Sequence, residues 1–207
     1  MSKQHWPQTP PKPPTPVMGP PLLVGMPTHD NRAVIQTVME FTQLGTPLHR
    51  PVQFLISRAS NIPRGRNVVM DAARQATDID PLWIFWVDSD ILVLPGHTER
   101  LVEMIQYAEQ HQVGVTAHYR MDNGESMLMS DRTETARHYT SDEVAAWPRW
   151  ERLGMAGMGF CYLPMPRAYT FRADTTGEDV RFFQDRPDLR LVCDNTIPLR
   201  HWKSAWF

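Results

Sequence analysis

Residues 82–87, LWIFWV, form an unbroken run of large apolar side chains, and this run constrains the fold more than any other segment. A β-strand points alternate side chains to opposite faces, so both faces of this strand must be covered. Inner strands of parallel sheets, which have helices packed on both sides, carry this pattern. The segment therefore predicts a central strand of an α/β fold.

The region around this strand alternates between short apolar runs and amphipathic patterns. The predicted strands are 22–26, 51–57, 82–87, 113–117, 157–165 and 189–193, and the predicted helices lie in 31–45, 66–77, 97–111 and 177–187. This order predicts right-handed crossovers and a mainly parallel central sheet flanked by helices. Within the first two helices, Ile35 and Val68 are expected on the apolar face. A hairpin turn is predicted at Asn123–Gly124, and a loop or short helix over 131–152.

Proline content divides the chain into a tail and a folded part. Residues 1–21 contain eight of the nineteen prolines. Such a segment cannot form helices or sheet ladders, so we expect an extended, polyproline-like tail, with a proline-motif ligand as the alternative interpretation. The 207-residue chain, with 42% hydrophobic residues, is then expected to form a single domain over 22–207.

Charge and cysteine content exclude several classes of protein. The net charge of -2 provides no overall basic field for nucleic acid or anionic membrane. Cys161 and Cys193 are too few for a disulfide framework or a cysteine metal site. The sequence shows no signal-peptide pattern, and its longest apolar run is far shorter than the ~20 residues that cross a bilayer. We therefore expect a soluble cytoplasmic protein, of a bacterial or phage-infected host cell.

Two carboxylates, Asp88 and Asp90, follow the central strand directly, with Ser89 between them. Ligands of open α/β sheets bind at the carboxyl ends of the strands. Residues two apart on an extended backbone point the same way, so both carboxylates can face one ligand. Two like charges held together need an offsetting cation, and Mg²⁺ or Mn²⁺ shared with substrate phosphates would supply it. A solvated loop or a helix cap is the alternative explanation.

From these residues outward, the chain resembles the glycosyltransferases with the GT-A nucleotide-diphospho-sugar fold, of the family 2 type. The resemblance rests on WIFWVDSDILVLPGHTERLVEMI, which is similar to their Asp-x-Asp segment, and on five further pieces in family order: VGMPTHDNRAVIQTV, RGRNVVMDAARQA, GMGF, TGEDVRFF and RHWK. Together these pieces are distributed over most of the range 22–203. The resemblance implies a GT-A, Rossmann-like fold and sugar transfer from a nucleoside diphosphate, most simply UDP.

The resemblance also implies roles for individual residues. Asp90 would be the main ligand to Mn²⁺ or Mg²⁺, with Asp88 on the ribose or reaching the metal through water, and His201 as a second ligand. The metal would stabilise the departing nucleoside diphosphate. Asp179 would be the general base of an inverting transfer, and Glu178 would hold the acceptor, although the sequence does not separate these two roles. The residues expected to bind the nucleotide sugar are Pro27, Thr28, His29, Asp30, Arg58, Arg64, Arg66, Asn67, Asp88, Ser89, Gly157 and Gly159.

Some of these expectations have simpler alternatives. Arg58, Arg64 and Arg66 cluster ahead of the helix predicted over 66–77, where they would meet uracil or diphosphate. They would also suit a solvated basic loop. Asn67 would cap that helix or contact the base. Gly157 and Gly159 would let the backbone approach the sugar or the acceptor, although glycines in strands often mark only a bulge. The segment FLISRASNIPRGR lacks the acidic residue that the family places after the second strand, which leaves Asp30 as its substitute.

The acceptor and the reaction class stay open at this stage. One acceptor that fits is a hydroxymethylated pyrimidine base in DNA, since Trp147, Arg149, Trp150 and Arg152 could stack on bases and contact phosphates. A polysaccharide, a lipid carrier or a small metabolite is an equal alternative. A nucleotidyltransferase would share the sheet, but GMPTHDNR lacks its glycine-rich phosphate loop. A non-catalytic nucleotide-sugar-binding module is the third class.

Overall fold

The computed structural model describes residues 19–28, 33–59, 61–120, 125–133, 135–172 and 177–201. The strands are β1 (Leu22–Thr28), β2 (Val52–Arg58), β3 (Leu82–Val87), β4 (Ile91–Val93), β5 (Gly114–Ala117), β6 (Leu128–Met129), β7 (Trp150–Leu153), β8 (Met155–Ala156), β9 (Phe160–Met165), β10 (Leu191–Asp194) and β11 (Leu199–His201). The helices are α1 (Ile35–Gln43), α2 (Gly45–Leu48), α3 (Ile62–Ala76), α4 (Thr98–His111), α5 (Ser141–Ala145) and α6 (Glu178–Asp185).

Seven strands form the central sheet, in the order β2-β1-β3-β9-β5-β10-β7. β1 pairs in parallel with both β2 and β3, and β5 pairs in parallel with β10. β9 runs antiparallel between β3 and β5, and β7 is antiparallel at the edge. Five of the seven strands therefore point the same way, which confirms the prediction of an α/β, Rossmann-like fold with a mainly parallel sheet.

The central strand β3 is buried on both faces, as its composition predicts. Ile84 and Trp86 pack on one face, in the core that contains Val69 of α3. Phe85 and Val87 pack on the other face, in the core that contains residues of α1 and α4. The period-2 alternation thus divides one apolar run between two hydrophobic cores and fixes where β3 ends.

Several predicted details of the helices are wrong. Ile35 is 71% exposed and Val68 is 45% exposed, so neither belongs to the buried face of its helix. α3 begins at Ile62 rather than at Arg66, because the Asn61 side chain accepts a hydrogen bond from the Arg64 backbone N–H and caps the helix there. The predicted turn at Asn123–Gly124 lies outside the described residues.

A small two-stranded sheet, which the sequence pattern did not indicate, brings the end of the chain to the candidate site. β11 pairs antiparallel with β4, and His201 lies opposite Ile91. Since Ile91 directly follows Asp90, this register places His201 beside the second carboxylate of the pair. Among the described residues, no helix is long and apolar enough to cross a membrane.

Candidate functional site

The carboxyl end of β3 and the start of α6 bring two predicted site residues to the same place. The Asp88 backbone N–H donates to the Gly159 carbonyl at 2.8 Å, which ties the end of β3 to the turn before β9. Asp179 lies in the first turn of α6, and its carboxylate accepts a hydrogen bond from the Met158 N–H at 3.0 Å. Residues 158 and 159 therefore hold the Asp179 carboxylate and the backbone of Asp88.

Arg66 is the cation of this site. Its side chain is 1% exposed, and its guanidinium lies 3.5 Å from Asp88, 3.3 Å from Asp179 and 3.7 Å from Glu178. The guanidinium also lies over the Trp86 ring, 5.3 Å from its centroid. Burial alone would lower the pKa of Arg66, but the three carboxylates outweigh burial and raise it. The arginine therefore stays charged.

Among the described residues, one arginine faces three carboxylates here, and this imbalance affects the pKa values of Asp88 and Asp179. Burial raises the pKa of Asp179 to about 7 against the lowering effect of Arg66, and the nearby charges of Glu178 and Asp88 add to the increase. Burial also raises the pKa of Asp88 above its usual value of 3.8. A carboxyl group that titrates near neutral pH can both accept and release a proton under ordinary conditions.

Gly159 makes room for a tyrosine beside these carboxylates. A Cβ at position 159 would lie 2.4 Å from the Tyr119 hydroxyl and 2.8 Å from Asp88 Oδ2. Tyr119 is 5% exposed, and burial, followed by the charges of Asp88 and Asp179, raises its pKa well above 10. The phenol is therefore a neutral hydrogen-bond donor at the site. At Gly157, a Cβ would lie 3.0 Å from the same hydroxyl.

Asp90 and His201 form the second pair of the site. Nε2 of His201 lies 3.1 Å from Oδ2 of Asp90. Two neighbouring ligands of one octahedral ion, with bonds of about 2.1 Å, are separated by about 3 Å, so this spacing suits a shared Mg²⁺ or Mn²⁺. The described residues contain no group of three or more His, Cys, Asp or Glu side chains placed to hold a metal. Any ion bound there would need further ligands beyond these two side chains.

The predicted nucleotide-binding residues are spread over the ends of β1, β2 and α3. Pro27 and Thr28 end β1 and line a shallow recess together with Asn61 and Gly65. Arg58 ends β2, and both Arg58 and Arg64 are exposed. Ser89 is half-buried, and its carbonyl accepts the Val34 N–H at 3.1 Å. His29 and Asp30 lie outside the described residues.

Two of the predicted binding residues have partners within the protein. Arg66 lies within α3 rather than ahead of it. Its guanidinium faces the carboxylates of Asp88, Glu178 and Asp179. Asn67 lies in the second turn of α3, so the prediction that it caps the helix is wrong. Its side-chain amide donates to the Phe171 carbonyl at 2.8 Å and accepts the Phe171 N–H at 2.7 Å, which holds the segment after β9 against α3.

The aromatic and arginine side chains considered for DNA also have intramolecular partners. Arg149 pairs with the fully buried Asp194 at 3.0 Å and lies over the Trp150 ring. Trp150 stacks on Tyr107, with ring centroids 4.0 Å apart. Trp147 packs edge-on against Tyr139, and Arg152 is exposed on β7. These contacts support the fold of residues 139–153, and the ring of Trp150 contacts both Tyr107 and Arg149.

The sequence analysis missed the residues that follow β5. His118, Tyr119 and Arg120 line a cavity of about 550 Å³ that also contacts His201. They occupy the carboxyl end of β5, just as Asp88 occupies the carboxyl end of β3. The rule that singled out Asp88 would therefore have singled them out too.

No protein-family model and no curated protein matches the chain. Among solved structures, the chain is similar to UDP-glucose pyrophosphorylase from Acinetobacter baumannii, with a TM-score of 0.45 and 10% identity over 82% of this chain. A UTP-bound UGPase from the same organism gives a TM-score of 0.45 and 12% identity over 83% of this chain. The chain spans 65% of the length of each of these proteins.

Proposed function

We propose that this protein transfers a sugar from a nucleoside diphosphate, most simply UDP, to a hydroxyl group of an acceptor, with Asp179 as the general base. The observation that carries the proposal is the placement of Asp179. It is a largely buried carboxylate at the carboxyl end of the sheet, held by Arg66 and the Met158 amide beside Asp88.

In the proposed reaction, Asp179 takes the proton of the acceptor hydroxyl. The hydroxyl oxygen then bonds to the anomeric carbon of the donor, while the bond from that carbon to the diphosphate oxygen breaks and its electron pair leaves with the diphosphate. A base with a pKa of about 7 is ionised in a useful fraction of molecules near neutral pH and is still basic enough to take the proton. Attack opposite the leaving group would invert the anomeric configuration.

Asp90 and His201 are the residues that we propose to hold a divalent cation. Such an ion, when bound with the donor diphosphate, would offset the negative charge of the leaving group. Two observations support the proposal. The 3.1 Å separation of the two side chains suits neighbouring ligands. Asp88, with its raised pKa, also lies in a site where carboxylates outnumber cations.

The nucleoside is proposed to lie over the ends of β1 and β2. Thr28 ends β1 and lies near the capped start of α3, where backbone N–H groups favour negative charge. Arg58 and Arg64 are exposed there and can contact the base or the diphosphate. Asp30 is the proposed partner of the ribose or base, in keeping with the sequence-based expectation.

The experiment that tests the proposal follows UDP-sugar turnover in the wild-type protein and in Asp179→Asn. We expect Mn²⁺-dependent release of UDP from one of a panel of UDP-sugars. We also expect that Asp179→Asn lowers the rate by about 10²- to 10⁴-fold while it retains UDP binding, because removal of a general base affects the chemical step. The panel of acceptors should include hydroxymethylcytosine DNA, a simple sugar and a lipid-linked sugar.

Asp188→Asn is the matched control, since Asp188 is an exposed aspartate that pairs with Arg186. Its turnover should equal that of the wild type. Asp90→Asn should abolish the response to Mn²⁺ in both turnover and UDP binding. If Asp179→Asn turns over at the wild-type rate, Asp179 is not the base. If wild-type protein neither binds UDP nor consumes any UDP-sugar, the proposed function is wrong.

A further inference from the structure

Most of the side chains that line the cavity at the carboxyl end of β5 have no role in the proposed reaction. It is lined by His118, Tyr119, Arg120, Ser141, Ala145, Leu199, Arg200 and His201. Two of these residues are arginines and two are histidines, while none of the described lining residues carries a carboxylate. With a volume of about 550 Å³, it lies in the range of sites for small ligands.

The polar groups of this cavity converge. The Arg120 Nε–H donates to the Ser141 hydroxyl at 2.6 Å, and that hydroxyl lies 3.4 Å from Nε2 of His118. This contact fixes the Arg120 guanidinium, and among the described residues its two terminal nitrogens have no hydrogen-bond partner. Burial and the neighbouring Arg120 charge lower the pKa of His118, so this imidazole is neutral near pH 7. A bound anion would favour its protonated form.

The cavity shares His201 with the proposed cation site and otherwise lies on the β5 side of the proposed donor site. β1 and β5 are separated in the sheet by β3 and β9. Since neighbouring strands lie about 4.8 Å apart, the ends of β1 and β5 are about 14 Å apart. Asp88 and Asp90 follow β3, between these ends. A donor whose nucleoside lies over β1 would therefore direct its sugar toward the β5 side.

Tyr119 links the cavity to the proposed base. It lines the cavity, and its hydroxyl faces the space that Gly159 leaves open beside Asp88. The charge of Asp179 contributes to the raised pKa of the same phenol, so the two groups are close enough to interact. Tyr119 thus lies between the cavity and these carboxylates.

We propose that this cavity binds a phosphate group of the acceptor, through Arg120, Arg200, His118 and Ser141. The inference rests on the proposed function, because it places the acceptor on the β5 side of the proposed active site. Guanidinium groups pair with phosphate oxygens in a bidentate manner, and hydroxyl and imidazole groups supply further donors. Both a phosphomonoester of a small molecule and a phosphodiester of single-stranded DNA present this chemistry.

The test measures phosphate binding to the full chain by calorimetry, with inorganic phosphate, a nucleoside monophosphate and a short single-stranded DNA as separate probes. The double variant Arg120→Gln with Arg200→Gln should weaken phosphate binding at least about tenfold, because two charge-assisted contacts are lost. Arg120→Lys, which keeps the charge, should retain part of the affinity. The probe that binds most tightly identifies the monoester or the diester as the source.

Arg190→Gln is the matched control, because Arg190 is an exposed arginine at the opposite end of the sheet, where it donates to the His111 carbonyl. It should bind phosphate as the wild type does. UDP with Mn²⁺ should bind the wild type and the double variant equally. If the double variant keeps phosphate affinity, or loses UDP affinity alone, the inference is wrong. If phosphate binding depends on the two arginines but UDP never binds, the cavity is a phosphate site and the proposed function is wrong.

Discussion

Replacement of Asp179 by asparagine should stabilise the folded protein at neutral and alkaline pH, although it removes the proposed base. The folded pKa of Asp179 is raised from 3.8 to about 7, chiefly by burial. The folded state therefore binds more protons than the unfolded state between these values, and wild-type stability falls as pH rises through this window. Asparagine does not titrate, so the variant lacks this loss.

The size of the effect follows from the pKa difference. At about 1.4 kcal/mol per pKa unit, the interval from 3.8 to about 7 corresponds to about 4 kcal/mol over the whole window. Between about pH 5 and pH 8 the variant should gain about 3 kcal/mol relative to the wild type.

Urea denaturation of both proteins, followed by tryptophan fluorescence at the two pH values, measures this difference. Asp188→Asn is the control. Arg186 lowers the pKa of Asp188, so its contribution to stability is lost only as pH falls below 3.8 and should not change in the measured interval. A stability difference between Asp179→Asn and the wild type that does not depend on pH would refute the assignment of a raised pKa to Asp179.

Three further outcomes follow from the packing of the site. Gly159→Ala should destabilise the protein by about 1–3 kcal/mol in urea denaturation, because the new methyl group meets the Tyr119 hydroxyl, and Tyr119→Phe in that background should recover part of the loss. Arg66→Met should cost about 3–5 kcal/mol at pH 8 and less at pH 5, where the raised carboxyl groups take up protons, as measured in the same way. Burial raises the pKa of Cys161 to about 12, so a thiol reagent should modify it in urea but not in the folded protein.

Local sequence patterns predicted the central elements because the signals for a strand or a helix end lie within a few consecutive residues. The run 82–87 is bounded by Pro81 and Asp88 and coincides with β3. The acidic pair at 178–179 likewise begins α6, as expected for carboxylates at a helix N-terminus. The predicted start of α3 at Arg66 is wrong because Asn61 caps the helix and Pro63 lies in its first turn, ahead of the basic residues. Ile35 was misplaced because its apolar side chain was assigned to the buried face by spacing alone.

Contacts between distant segments could not be predicted in the same way. The pairing of β4 with β11, which brings His201 to Asp90, joins residues more than a hundred positions apart. The resemblance to glycosyltransferases suggested these partners, but the periodicity of the sequence did not. Arg66 is the clearest case, since its position in a basic segment indicated a phosphate contact. Only the folded chain shows that it is buried among carboxylates.

This arrangement explains why the charge of Arg66 is needed inside the fold. Three carboxylates without a buried cation would each resist ionisation, and the site would hold protons well above neutral pH. With a single arginine, the pKa of Asp179 is held near 7 instead of rising further. An arginine that bound substrate phosphate directly would leave the carboxylates without this balance whenever substrate was bound. Arg66 instead faces the carboxylates of Asp88, Glu178 and Asp179 and affects their ionisation, and we propose that contacts with phosphate are made by the exposed arginines on either side of the site.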